Sequence, residues 1–168
     1  MILLLAALCA LSIVIYTLIT GISPAPTGRE VRKELVGHLP RQIEGRVFEL
    51  GCGWGGLALA LARRYPEREV VAYELSPIPY LVAKVRAMWA PNLKVVRGDF
   101  FKASLEGAGL VVCYLAPKLM ERLRPTLKGL PKGTLVVSHT FGLRGWQPIK
   151  EVVVGRFPRT SIYFYPVN

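Results

Sequence analysis

The residues best suited to chemistry lie at 49–56, where Glu49 is followed by glycines at three alternating positions, Gly51, Gly53 and Gly55. A short apolar run, Val47-Phe48, leads into them, and the helix-like Leu57-Ala58-Leu59-Ala60-Leu61-Ala62 leads out. A strand, a glycine turn and a helix in that order let a nucleoside-bearing ligand lie against bare backbone. Twenty-three residues after Gly51, a second apolar run, Val70-Val71-Ala72-Tyr73, ends in Glu74. A carboxylate at that place can hold both ribose hydroxyls of a bound nucleotide. Gly98-Asp99-Phe100 follows a third run, Leu93-Lys94-Val95-Val96, and offers an acceptor and an aromatic face to an adenine amino group. With Cys52 and Leu75 beside them, these residues form a candidate pocket for an adenosine-containing cofactor.

The glycines alone do not name that cofactor. Gly51, Gly53 and Gly56 also satisfy G-x-G-x-x-G, so a nicotinamide-dependent oxidoreductase is a rival. Glu49 tilts the choice, because acid-x-G-x-G-x-G is the pattern of S-adenosylmethionine (SAM) methyltransferases. A carboxylate two residues before the first glycine suits the cationic amino-acid half of SAM and sits poorly beside a pyrophosphate. A plainer reading leaves Glu49 capping a turn and the glycines permitting close packing. The ordered recurrence of glycine turn, Glu74 and Asp99 argues against it.

The elements that must position these residues alternate. Thr27 and Glu30 make a T-x-x-E capping box for a helix ending near Gly37 and Pro40. Strand 47–50, helix 56–65 and strand 69–73 follow, then a helix capped by Ser76 that runs to about Trp89. Strand 93–97, strand 109–115, a helix over 117–128 and strand 134–138 complete the rhythm. Such alternation of unbroken apolar runs with helices implies a Rossmann-like α/β fold, a parallel sheet covered on both faces. The tail departs from it: 149–154 and 160–165 flank Gly155-Arg156-Phe157-Pro158 and read as an antiparallel hairpin. A parallel sheet finished by such a hairpin fits a SAM methyltransferase better than a nicotinamide domain, and the chain leaves little room for a second, substrate-binding domain.

The 168 residues are unevenly composed. Residues 1–28 carry no charged side chain, and Met1 to Ile22 is almost wholly apolar. A bilayer core needs about 20 such residues as a helix. No basic region opens the chain as in a signal peptide, so the expectation is a single-pass transmembrane anchor over 1–22. A stiff proline linker over 23–28 and a catalytic domain over 29–168 follow. Arg29, Arg32 and Lys33 flank the apolar run, which predicts a cytoplasmic domain. All 22 basic and 11 acidic residues fall beyond residue 28, so the domain carries the net +11. That charge suits an anionic membrane surface, and it also suits a plain soluble surface. No dense Lys/Arg cluster interleaved with aromatics signals nucleic acid, and none is expected as a partner. Cys9, Cys52 and Cys113 lack metal-ligand spacing and read as packing residues, so no metal is expected.

Four segments together resemble a particular family: Glu49-Leu50-Gly51-Cys52-Gly53, Tyr73-Glu74-Leu75-Ser76-Pro77, Tyr114-Leu115-Ala116-Pro117, and Val136-Val137-Ser138-His139-Thr140-Phe141 with Gly145-Trp146-Gln147-Pro148. They look like the small seven-strand protein lysine methyltransferases. These include an archaeal broad-specificity enzyme and mitochondrial enzymes that modify ATP synthase c-subunit and the adenine nucleotide translocase. The resemblance covers about residues 27–168. It implies SAM as cofactor, a protein lysine as acceptor, in some cases on a membrane protein, and a lysine channel walled by Tyr114, His139, Phe141 and Trp146. A small-molecule or lipid methyltransferase at the membrane is the alternative that the residues leave open. One departure stands out. The family usually carries Asp-Gly-Arg after the second glycine, whereas this chain has Trp54-Gly55-Gly56, which sets apart its contacts to the methionine half of SAM.

Overall fold

The computed structural model describes residues 1–20, 26–156 and 159–168. Its centre is a seven-stranded sheet of order β3-β2-β1-β4-β5-β7-β6. The strands are β1 (Arg46–Leu50), β2 (Val70–Glu74), β3 (Leu93–Arg97), β4 (Ala108–Cys113), β5 (Leu135–His139), β6 (Lys150–Val154) and β7 (Thr160–Pro166). The first five are parallel, and β7 enters antiparallel between β5 and the edge strand β6. The expected Rossmann-like sheet and C-terminal hairpin are therefore present; Phe157 and Pro158 of the hairpin's turn lie outside the described residues.

Alternation along each strand sorts side chains onto two faces. On β1, Val47 faces the layer formed by α2 (Arg29–His38), α3 (Gly56–Arg64) and α4 (Pro77–Ala87), where Leu35, Leu57, Leu61 and Ala83 bury against the sheet. Phe48 and Leu50 face the opposite layer with Met120, Leu123 and Leu127 of α5 (Pro117–Lys128). Glu49, two residues from Val47, shares its face and is the one charged residue inside this strand's buried stretch. The chain crosses one way from β1 to β2 and the other way to β4. The carboxyl ends of β1 and β4 thus flank a topological switch point, where such sheets bind ligands.

Several local expectations shift. Gly28, not Thr27, precedes the first residue of α2, and no side chain caps it. Ser76 precedes α4 but also makes no side-chain cap bond. Strand β4 ends at Cys113, so Tyr114 and Leu115 belong to the loop beyond it.

The membrane-spanning anchor and the cytoplasmic placement built on it are corrected. Helix α1 is described over Ile2–Thr20. Among the described residues, no helix is long and apolar enough to cross a membrane. Gly21 and Ile22, which the anchor also required, lie outside the described residues, as do Ser23, Pro24 and Ala25 of the linker. Helix α1 instead makes contact with α4.

Candidate functional site

The loop after β1 is tied to the end of β2 by backbone: Gly51 and Cys52 both donate to the Tyr73 carbonyl, at 3.0 and 2.9 Å. It then turns through left-handed backbone at Gly51, Gly53 and Gly55, with φ of 78°, 52° and 75°. At Gly55 a side chain is barred twice over, since a Cβ would stand 2.8 Å from the Ala83 Cβ and 2.9 Å from its Cα. Gly55 therefore sets the approach of α3 to α4. At Gly53 the surrounding space is open, so only conformation favours glycine there.

Glu74 closes the loop. Its two carboxylate oxygens accept from the Gly53 and Ser76 backbone N–H groups, each at 2.8 Å. Glu49 is close enough to feel it. Burial, with the Glu74 charge adding to it, raises the Glu49 carboxyl from 4.5 to about 8. Glu49 is 5% exposed, and its Oε2 has no hydrogen-bond partner. A buried acid with an open acceptor calls for a cationic donor to complete it.

These groups line a cavity of about 520 Å³. Of the residues read from sequence, Glu49, Gly51, Cys52, Gly53, Glu74, Leu75, Asp99, Phe100, Tyr114 and Phe141 all reach its wall. Asp99 Oδ1 accepts from Phe101 N at 3.0 Å and starts a short 3-10 turn over Phe100–Lys102, which holds the Phe100 and Phe101 rings 4.6 Å apart. Cys52 and Cys113 are free and buried, and burial pushes both thiols up. They are inert packing groups.

Gly55, His139 and Trp146 are not on that wall. His139 lies behind it, 5% exposed, with its ring 4.3 Å from that of Tyr114. Burial lowers its pKa to about 4, so the imidazole is neutral at neutral pH. Tyr114 is also near-parallel to Phe141, 6.5 Å between centroids at 12°. His139 thus backs Tyr114 while Phe141 faces it. The chain reaches Phe141 through Thr140, a non-glycine residue at φ 71°, which is held by Ser161 and Thr160 of β7. Trp146 stands edge-on to Tyr165 at 5.9 Å and packs the hairpin.

Sequence reasoning missed Pro26, Thr27, Arg32, Arg86, Phe101, Leu119 and Arg122, all of which line the cavity. The Arg122 guanidinium lies 3.9 Å over the Phe101 ring. Phe101 was within reach, adjoining Phe100 after the same strand. The arginines carried no local signal.

The site suits SAM. The Glu49 oxygen is a buried acceptor without a partner, the left-handed glycines leave backbone bare, and Glu74 lines the same switch-point crevice. Fold and cradle together define a class I, SAM-dependent methyltransferase. An RNA methyltransferase from Salinibacter ruber, solved with S-adenosyl-L-homocysteine (SAH), matches with a TM-score of 0.69 at 28% identity. The match covers 85% of this chain and 94% of that one. A precorrin-6y C5,15-methyltransferase from Geobacter metallireducens shares the fold at TM-score 0.68 and 14% identity, over 84% of this chain and 92% of its own. Residues 49–150 match the ANTKMT methyltransferase domain, and the chain belongs to that family. It is 31% identical over 132 residues to a protein-lysine N-methyltransferase of Saccharolobus islandicus, covering 76% of this chain and 81% of the relative. It is 34% identical over 134 residues to the adenine nucleotide translocase lysine N-methyltransferase of Mus musculus. That match covers 71% of this chain but 58% of the mouse protein, little more than half its length. The oxidoreductase alternative is set aside.

Proposed function

We propose that this chain transfers a methyl group from SAM to the side chain of lysine in protein substrates. The observation that carries the proposal is the cavity wall formed by Tyr114, Leu115, Ala116 and Phe141, an apolar and aromatic surface beyond the ends of β4 and β5. The names of the archaeal and mouse relatives support the same acceptor. SAM, when bound, supplies an electrophilic methyl group for in-line displacement. The protein's part is to align an amine, exclude water and receive the amine unprotonated.

Glu49 would hold the amino group of the cofactor, Glu74 the ribose hydroxyls, and Asp99 with Phe100 the adenine. Tyr114 and Phe141 would flank the lysine stem, with His139 holding the Tyr114 ring from behind. A free lysine has a pKa near 10.4. An apolar channel disfavours its charged form, and so does the neighbouring Arg122. The mouse relative's name supports including membrane-derived proteins among the acceptors tested.

The test is incubation of the full chain with radiolabelled SAM and a host extract fractionated into protein, lipid and RNA, followed by mass spectrometry of labelled proteins. Methyl groups on lysine, abolished by prior chemical blocking of lysines, are expected. Label confined to lipid, small molecules or RNA overturns the acceptor assignment and leaves the cofactor reading intact.

A further inference from the structure

Gly56 begins α3 and has no side chain of its own. A Cβ built there would stand 2.7 Å from Arg32 Nη1 and 3.5 Å from Arg86 Nη1. The space a side chain at 56 would claim is therefore filled by a guanidinium from another helix. Helix α2 brings it there. Leu35 and Leu39 bury in the same core as Leu57 and Leu61 of α3, and the two helices pack together, so Arg32, one turn before Val36, lies over the start of α3. Arg86 is engaged with the loop backbone, donating to the Trp54 carbonyl at 3.0 Å. The Arg32 guanidinium makes no hydrogen bond or salt bridge among the described residues, although it borders the cavity.

We infer that Arg32 is the carboxylate-binding residue for the methionine half of SAM, replacing a cation that the glycine loop itself does not carry. The amino-acid half has two charges to satisfy. The buried, unpartnered Glu49 oxygen takes the ammonium. The carboxylate needs an opposite donor, and only a charged or dipolar group on the same end of the cavity can supply it. Arg32 adds a planar, permanently charged fork to the free N–H groups at the start of α3. A larger residue at 56 would push that fork aside, since a Cβ there would stand 2.7 Å from Arg32 Nη1. The inference rests on SAM being the cofactor.

Calorimetry on the full chain tests it with two probes: SAH, which has the carboxylate, and methylthioadenosine, which lacks the whole amino-acid half. Arg32→Gln is expected to weaken SAH by roughly 10- to 100-fold and to leave methylthioadenosine affinity unchanged, which also shows that the variant is folded. Arg32→Lys is expected to recover part of the loss, since it restores the charge without the fork. Arg86→Gln is expected to alter the two probes equally. Unchanged SAH affinity in Arg32→Gln overturns the inference, as does an equal loss for both probes or an SAH-selective loss in Arg86→Gln. If the unaltered protein binds neither probe, the cofactor reading itself falls.

Discussion

Replacing Glu49 by Gln removes a proton equilibrium while keeping nearly the same bulk, and its consequence for stability can be worked out. In the unfolded chain this carboxyl titrates at 4.5, and in the folded chain it holds its proton up to about 8. Below 4.5 both states are protonated. Between the two values the folded state binds the extra proton, so stability falls as pH rises and the loss is complete above about 8. At about 1.4 kcal/mol per pH unit, the group costs the ligand-free protein at most about 3 kcal/mol at neutral pH and about 5 kcal/mol in mild alkali. Glu49→Gln lacks this gradient. Urea denaturation of both proteins across this range should show the variant gaining on the parent protein as pH rises. Saturating SAH should flatten the parent's gradient, because a bound ammonium draws the proton off Glu49. The same variant should bind SAH more weakly. Stability curves that stay parallel from mild acid to mild alkali would refute the assignment of a proton to this buried carboxyl, and with it the reason for expecting an amino group there.

Glu74→Gln should shift the parent's stability gradient to lower pH, because the Glu74 charge helps to raise Glu49; an unmoved gradient in the same urea series would show burial acting alone. Glu74→Ala should weaken SAM binding by about 1.5–3 kcal/mol, the scale of hydrogen bonds to a charged group, measured by calorimetry. Gly55→Ala should lower folding stability by about 1–3 kcal/mol, since it must adopt φ 75° and press on Ala83; an unaltered denaturation midpoint would contradict the packing described. Tyr114→Ala and Phe141→Ala should reduce methyl transfer far more than SAH affinity, because they are assigned to the acceptor. Parallel measurement of turnover and SAH binding separates the two effects.

The part of the cavity wall proposed to hold the cofactor was legible along the chain because its parts are local. Glu49, the glycines and Glu74 sit at the ends of consecutive strands, and burial on both faces obliges those strands to be unbroken apolar runs. Their order follows from the alternation of such runs with helices, and the hairpin follows from the change of rhythm after residue 148. The proposed acceptor half lies between distant segments, and only tertiary packing decided which of its residues reach the cavity. His139, Phe141 and Trp146 fall within eight residues, yet the left-handed backbone at Thr140 and the contacts of β7 turn one behind Tyr114, one toward the cavity and one onto Tyr165. Thr27 and Arg32 read as a cap and a basic flank, because their neighbours in sequence suggest nothing else. The burial of Leu35 and Leu39 fixes how α2 lies on α3 and brings both residues to the cavity. The membrane-spanning reading likewise came from the apolar run alone, whereas among the described residues no helix is long and apolar enough to cross a membrane. Sequence determines which residues prefer burial and which conformations glycine permits; which side chains meet is decided by the packing that satisfies all those preferences at once.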